Sequence, residues 1–204
     1  MKTKHFILPL LIAAAMITSC KKETRDKLKK AKQDVSNVTS VIGNVKEAQE
    51  DALKLKEMTP LTNDELKSWL PENINGMTRT GFKVGKAGYI DISSIEGTFK
   101  TEATDDKKEL KVEVFDGAGP TGSMFMMSVN MVTNMDVEEE DENKHIKTVK
   151  KNGIKAHQTY YKKRNDTKIQ FLYEKRLGVI VTANDMDVDE TWDAIKKLNL
   201  NKLL

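Results

Sequence analysis

The spacing of apolar residues changes along the chain, and each change predicts a different element. Residues 6–17 run without a charge behind Lys2 and Lys4. That run is too short for a membrane-spanning helix, which needs about 20 residues, and it suits the core of a signal peptide. Leu28, Ala31, Val35, Val38, Ile42 and Val45 then alternate steps of three and four, which is a heptad seam. Ala48, Ala52, Leu55 and Met58 continue the stripe with its phase shifted. Residues 21–58 hold no proline and no aromatic residue, so the pattern predicts one long amphipathic helix, a stalk spanning 20–58. A spacer, a short parallel coiled coil that oligomerises the protein, and a disordered tether all remain open as its role.

The periodicity switches near Thr59–Pro60, where a domain covering 59–204 is expected to begin. Thr62 with Glu65 has capping-box spacing, and Leu61 and Leu66 occupy the staple positions. Pro71 stops that helix at Leu70. From Met77 the pattern becomes that of strands. Tyr89, Ile90, Ile92, Ile95 and Phe99 mark early ones, and Leu110, Val112 and Val114 alternate with charged residues, as in a half-buried antiparallel strand. Residues 123–135 predict a helix with a face of Met124, Met127, Met131 and Met135 beside Phe125, Val129 and Val132. Asn152-Gly153 and Asn165-Asp166 read as turns between further strands. Asp187 and Glu190 cap a last helix containing Trp192, Ile195 and Leu198. The expected order, α-β-β-β-α-β-β-β-β-α, has no helix between successive strands except once. It predicts an α+β fold with an antiparallel sheet and packed helices.

Composition narrows the function classes. With 38% hydrophobic and 32% charged residues the chain is neither a multi-span membrane protein nor wholly disordered. The formal charge of +3 makes it no general attractor of nucleic acid. A single cysteine, Cys20, excludes an internal disulfide and a cysteine-based zinc site.

That cysteine closes the sequence Ile17-Thr18-Ser19-Cys20, which resembles the lipobox of bacterial lipoproteins. The resemblance implies that residues 1–19 are a cleaved signal and that Cys20 is lipidated and becomes the first mature residue. Its acyl chains, palmitate among those implied, would hold the protein on a membrane of the cell envelope. By resemblance to enterobacterial lipoproteins, Lys21 in place of an aspartate as the second mature residue implies the outer membrane over the inner. Cys20-Lys21-Lys22-Glu23 is similar in part to the export tags of Bacteroidetes surface lipoproteins, with the second acid missing. Lys21, Lys22, Arg25, Lys27, Lys29, Lys30 and Lys32 against Glu23 and Asp26 would draw the stalk's start toward anionic headgroups.

Several motifs invite chemistry. Gly117-Ala118-Gly119-Pro120-Thr121-Gly122 matches a dinucleotide fingerprint. The strand before it alternates with charge, whereas a Rossmann strand is apolar on both faces. The expectation is therefore a glycine-rich turn feeding a helix capped by Thr121 or Ser123. Asp185, Asp187 and Asp189 open like a calcium loop, but Glu190 and Lys196 stand where an EF-hand needs glycine and glutamate. With Asn152-Gly153 as a two-residue turn, His157 faces Thr148 and His145 faces Tyr160, on opposite sides of one hairpin. The acids of 136–142 are expected to form a solvated loop. The methionine helix is expected to serve the core or a groove for a hydrophobic ligand.

Residues 70–204 also resemble a class of uncharacterised bacterial lipoprotein domains. Leu70-Pro71, Gly76-Met77, Asp116-Gly117, the Asp189–Thr191 spacing and Leu198-Asn199-Leu200 carry the likeness. That resemblance implies no reaction, and no catalytic, cofactor or metal residue is assigned. The expectation is a non-enzymatic envelope lipoprotein that binds a small ligand or an envelope protein, and no nucleic acid. Its rivals are a lipid-anchored hydrolase using scattered acids and a binder of a small hydrophobic ligand.

Overall fold

The computed structural model describes residues 46–86, 91–102 and 107–204. The signal segment, Cys20, the stalk as far as residue 45 and the strand markers Tyr89 and Ile90 lie outside the described residues. Two helices come first, α1 over residues 46–56 and α2 over Asn63–Trp69. Strands β1 (Asn73–Ile74), β2 (Met77–Lys86), β3 (Ser93–Lys100) and β4 (Glu109–Asp116) follow as a meander, and α3 (Gly119–Thr133) leaves the end of β4. A second meander runs through β5 (Glu138–Glu140), β6 (Lys144–Lys151), β7 (Ile154–Tyr161), β8 (Asp166–Tyr173) and β9 (Leu177–Asn184). Helix α4 (Val188–Lys197) and a 3-10 turn (Leu200–Leu203) close the chain.

The two meanders make one nine-stranded antiparallel sheet in the order β1-β2-β3-β4-β9-β8-β7-β6-β5. Only α3 crosses over, carrying the chain from the middle of the sheet to its far edge. The α+β expectation holds for the described residues. The short edge strands β1 and β5 are additions to the expected order. Glu138–Glu140, expected in a solvated loop, forms β5 and pairs with Lys147–His145. Lysines make this possible: Lys144 holds Glu139, Lys162 holds Glu140 and Lys155 holds Asp136. A short, charged edge of this kind resists pairing with other chains.

The strand register follows from the turns. Asn152 and Gly153 both have positive φ, as a type I′ hairpin requires, and they set His157 against Thr148 and His145 against Tyr160. On the inner face Leu110, Val112, Val114, Ile169, Phe171, Val179 and Val181 are buried beneath α2, α4 and the 3-10 turn. Both expected capping boxes are present, Thr62 with Glu65 and Asp187 with Glu190. Trp192 stacks on Phe171 with centroids 6.3 Å apart and donates from its indole nitrogen to Gln158 Oε1. That bond satisfies two polar groups inside an apolar layer.

Helix α1 belongs to the same compact unit as the sheet, which begins at Val45. Ala48 and Leu55 are buried, and Lys175 in the β8–β9 turn binds Glu47 at 2.6 Å and Asp51 at 2.9 Å. Those two acids hold the Lys175 ammonium above its ordinary pKa, Glu47 foremost. Packing therefore reaches back across Thr59–Pro60 into the segment assigned to the stalk.

Leu55→Ala should lower stability by about 2–4 kcal/mol, the usual cost of truncating a buried leucine. A fragment starting at residue 59 should melt below one starting at residue 45, and equal midpoints would show that α1 adds nothing. A second expectation concerns acid. Lys155 lowers the Asp136 pKa, Lys162 lowers that of Glu140, and the Asn143 and Lys144 amides lower that of Asp141. A carboxylate with a depressed folded pKa stabilises the fold above its unfolded pKa, and that contribution disappears as pH falls through the folded value. Below the ordinary carboxylate range, the secondary chemical shifts of Glu138–Glu140 should move to coil values while β4 and β9 keep theirs.

Candidate functional site

At the end of β4 the fully buried Asp116 carboxylate meets Arg176, which sits in the turn between β8 and β9. Arg176 Nε donates to Asp116 Oδ1 at 2.8 Å and Nη2 donates to Oδ2 at 3.0 Å. The same carboxylate accepts from the Ala118 amide at 3.1 Å and the Leu61 amide at 2.7 Å. Arg176 Nη2 also donates to the Thr59 carbonyl oxygen at 3.4 Å, and the Gly117 amide donates to the Arg176 carbonyl oxygen at 2.9 Å. A buried charge is tolerable only when it is paired and fully hydrogen-bonded, and this one is. Asp116 holds the Arg176 guanidinium above its ordinary pKa. The pair ties together the α1–α2 linker, the β8–β9 turn and the start of α3.

The glycines beside it serve close packing. A Cβ on Gly117 would lie 2.7 Å from the Arg176 carbonyl oxygen and would also collide with Met126. One on Gly122 would lie 2.8 Å from the Gly117 carbonyl carbon and 2.9 Å from the Asp116 carbonyl oxygen. Gly119 has φ +81°, the left-handed region that favours glycine, and stands against Pro60. Each glycine therefore has a local reason to be there, and the strand before them belongs to an antiparallel sheet. The expected cap is corrected: α3 begins at Gly119, and Ser123, inside its first turn, donates to the Pro120 carbonyl oxygen.

From this anchor α3 crosses the outer face of the sheet, over β9, β8 and β7. Between helix and sheet lies a cleft of about 320 Å³. Phe115, Gly178, Ile180, Gln170 and His157 form its floor, and Phe125, Ser128, Val129 and Thr133 its roof. The volume is at the small end of the range for ligand pockets. Phe115 and Phe125 close one end as a tilted pair 5.9 Å apart. At the other end His157 Nε2 lies 3.1 Å from the Met135 carbonyl oxygen, and Thr133 Oγ1 donates to the Val129 carbonyl oxygen at 3.0 Å.

The methionines behave differently from expectation. Met126, outside the expected face, is buried and seated over Gly178. Met124 and Met135 are 71% and 60% exposed, Met135 lies beyond the helix end, and no methionine is among the described residues that line the cleft. Phe115 and Gln170 were not singled out by the sequence pattern, and neither was Arg176. The remaining motifs do not converge. His145 is 3.8 Å from Glu138 on the opposite side of the hairpin from His157. Asp185 accepts from Asn165 Nδ2, Asp187 caps α4 and Asp189 pairs with Lys151. Among the described residues no group of three or more His, Cys, Asp or Glu side chains is placed to hold a metal ion.

No family model matches the chain, and no curated protein matches it in sequence. Among solved structures, a GTP-binding regulator from Thermotoga maritima matches at 12% identity over 68% of this chain and 87% of its own length, with a TM-score of 0.33. A likeness at that level carries no argument about this chain.

Gly122→Ala should destabilise the fold by about 1–3 kcal/mol, because the added methyl meets backbone on both sides. NAD, ATP or GTP should leave the melting temperature of the parent protein unchanged. A nucleotide binding at 100 times below its working concentration would add about 2.7 kcal/mol of stability. A saturable rise in melting temperature with any of the three would restore the loop as a nucleotide site.

Proposed function

We propose that this chain is a lipid-anchored lipoprotein of the bacterial cell envelope, held at the outer membrane through Cys20, whose α+β domain binds a small, largely apolar ligand without chemically altering it. The cleft under α3 is the observation that carries the binding reading. Its walls are mostly Phe, Val, Ile and Gly, and His157 is the titratable group among its lining residues. General acid–base chemistry needs a positioned proton donor or acceptor on the reacting atoms, and hydrolysis generally adds a nucleophile or an oxyanion site. The acids that a hydrolase would use are instead spread over capping, edge pairing and the Arg176 ion pair. The sequence Ile17-Thr18-Ser19-Cys20 supports the anchor.

Two measurements test the two halves. Labelled fatty acid should enter the parent protein and not Cys20→Ala, and the variant should be either soluble or left unprocessed with residues 1–19 in place; equal labelling and equal membrane partition of the two would end the anchoring reading. Val129→Trp, which fills the cleft from its roof, should abolish the fluorescence rise of an environment-sensitive apolar dye that the parent produces. An unchanged dye response would move binding away from this cleft.

A further inference from the structure

The cleft has an apolar end and a polar end, and floor and roof follow the same sequence. Along the roof, Phe125, Val129 and Thr133 stand one helical turn apart, spanning about 12 Å. Across the floor, Phe115 lies on β4, Ile180 on β9, Gln170 on β8 and His157 on β7, and these strands are neighbours in the sheet. The register puts Ile180 opposite Gln170 and Gln170 opposite His157 on one row. The polarity therefore rises from the Phe115–Phe125 pair, through Ile180 and Val129, to Gln170, His157 and Thr133.

The hydrogen bonds at the polar end limit what can sit there. Met135 offers a carbonyl oxygen, so His157 Nε2 must be the donor in their 3.1 Å contact. In the neutral ring that leaves Nδ1 as a lone-pair acceptor. The Thr133 hydroxyl proton is committed to the Val129 and Asn130 carbonyl oxygens, so Oγ1 can only accept from elsewhere. Gln170 supplies an amide with both capacities. Among the described residues no lysine or arginine lines the cleft. Lys155, two residues from His157 along β7, is held by Asp136 at 2.8 Å and donates to the Asn134 carbonyl oxygen. Lys168, two residues from Gln170 along β8, lies outside the lining.

Resting on the ligand-binding reading, we infer that the cleft takes an elongated neutral amphiphile, a hydrocarbon or aromatic body with a hydrogen-donating head such as a phenol or alcohol, and disfavours the corresponding carboxylate. The body lies against the Phe115–Phe125 pair, over Ile180 and beneath Val129, where apolar area is removed from water. The head donates to His157 Nδ1 or Thr133 Oγ1. A carboxylate meets acceptors at His157 Nδ1 and Thr133 Oγ1, finds only the uncharged Gln170 amide and Ser128 hydroxyl as donors among the described lining residues, and gains no cation in exchange for its lost hydration.

The test is calorimetric titration of the full chain carrying Cys20→Ala, made without its lipid, with 4-hexylphenol, hexylbenzene and 4-hexylbenzoate at pH 8. The phenol should bind about tenfold more tightly than hexylbenzene, the worth of one good hydrogen bond, and more tightly than the benzoate. His157→Phe and Thr133→Val combined should erase the phenol's advantage while leaving hexylbenzene affinity in place, and Gln170→Leu should raise hexylbenzene affinity. Equal affinity for phenol and hexylbenzene would overturn the inference and leave the binding reading standing. The same holds for a preference for the benzoate, which, if lost in Lys168→Met, would assign the head to that lysine instead. Binding of none of the three would remove the ligand-binding reading itself.

Discussion

The buried pair of Asp116 and Arg176 is the constraint around which this domain is arranged. Four donors converge on one carboxylate: two from the guanidinium, one from Ala118 and one from Leu61. They come from parts of the chain far apart in sequence, so satisfying the charge also fixes where those parts meet. Removing one partner would leave a charge in an apolar interior, a loss of about 3–5 kcal/mol in comparable buried pairs. The linker after α1, the β8–β9 turn and the glycine loop are thus held to one point. The direction in which α3 departs from β4 is set there.

That direction gives the sheet two different faces. The inner face is sealed by α2, α4 and the 3-10 turn, with Trp69, Trp192, Leu198 and Leu203 buried against it. The outer face receives α3, which crosses β9, β8 and β7 instead of lying along one of them. Met126 fits down onto Gly178, where a side chain would block it, and holds that part of the helix close. Farther along, Val129 and Thr133 sit over Ile180, Gln170 and His157 with space between. The cleft follows from one helix being tied tightly at its start and spanning a face whose side chains are too few and too polar to fill the gap.

Much of the fold was written in local patterns. Turn residues at Asn152-Gly153 fixed the β6–β7 register, and spacing alone located both capping boxes. The short strands β1 and β5 were not legible, because two or three residues carry no period, and a glutamate run looks like a loop until its lysine partners are placed. Asp116 and Arg176 lie 60 residues apart, and no pattern in one sequence matches a particular acid to a particular base over that distance. The cleft did leave a trace. Gly178-Val179-Ile180-Val181 is apolar on both faces of β9, as a strand covered on both sides should be. Phe115 is likewise an apolar residue at an outward position. The methionine spacing misled because Met126, one position before Met127, finds the two glycines, and that complementarity is tertiary.

The central claim is that the Asp116–Arg176 pair positions α3 and thereby forms the cleft. Hydrogen exchange read peptide by peptide in Arg176→Met, with Arg176→Lys as the milder companion, tests it most directly. The account predicts that protection falls first in residues 117–133 and in the linker at 59–62, while β4, β8 and β9 stay protected, and that Arg176→Lys gives the same order to a smaller degree. Unchanged protection of α3 in Arg176→Met would contradict it, as would a uniform loss across the sheet in both variants.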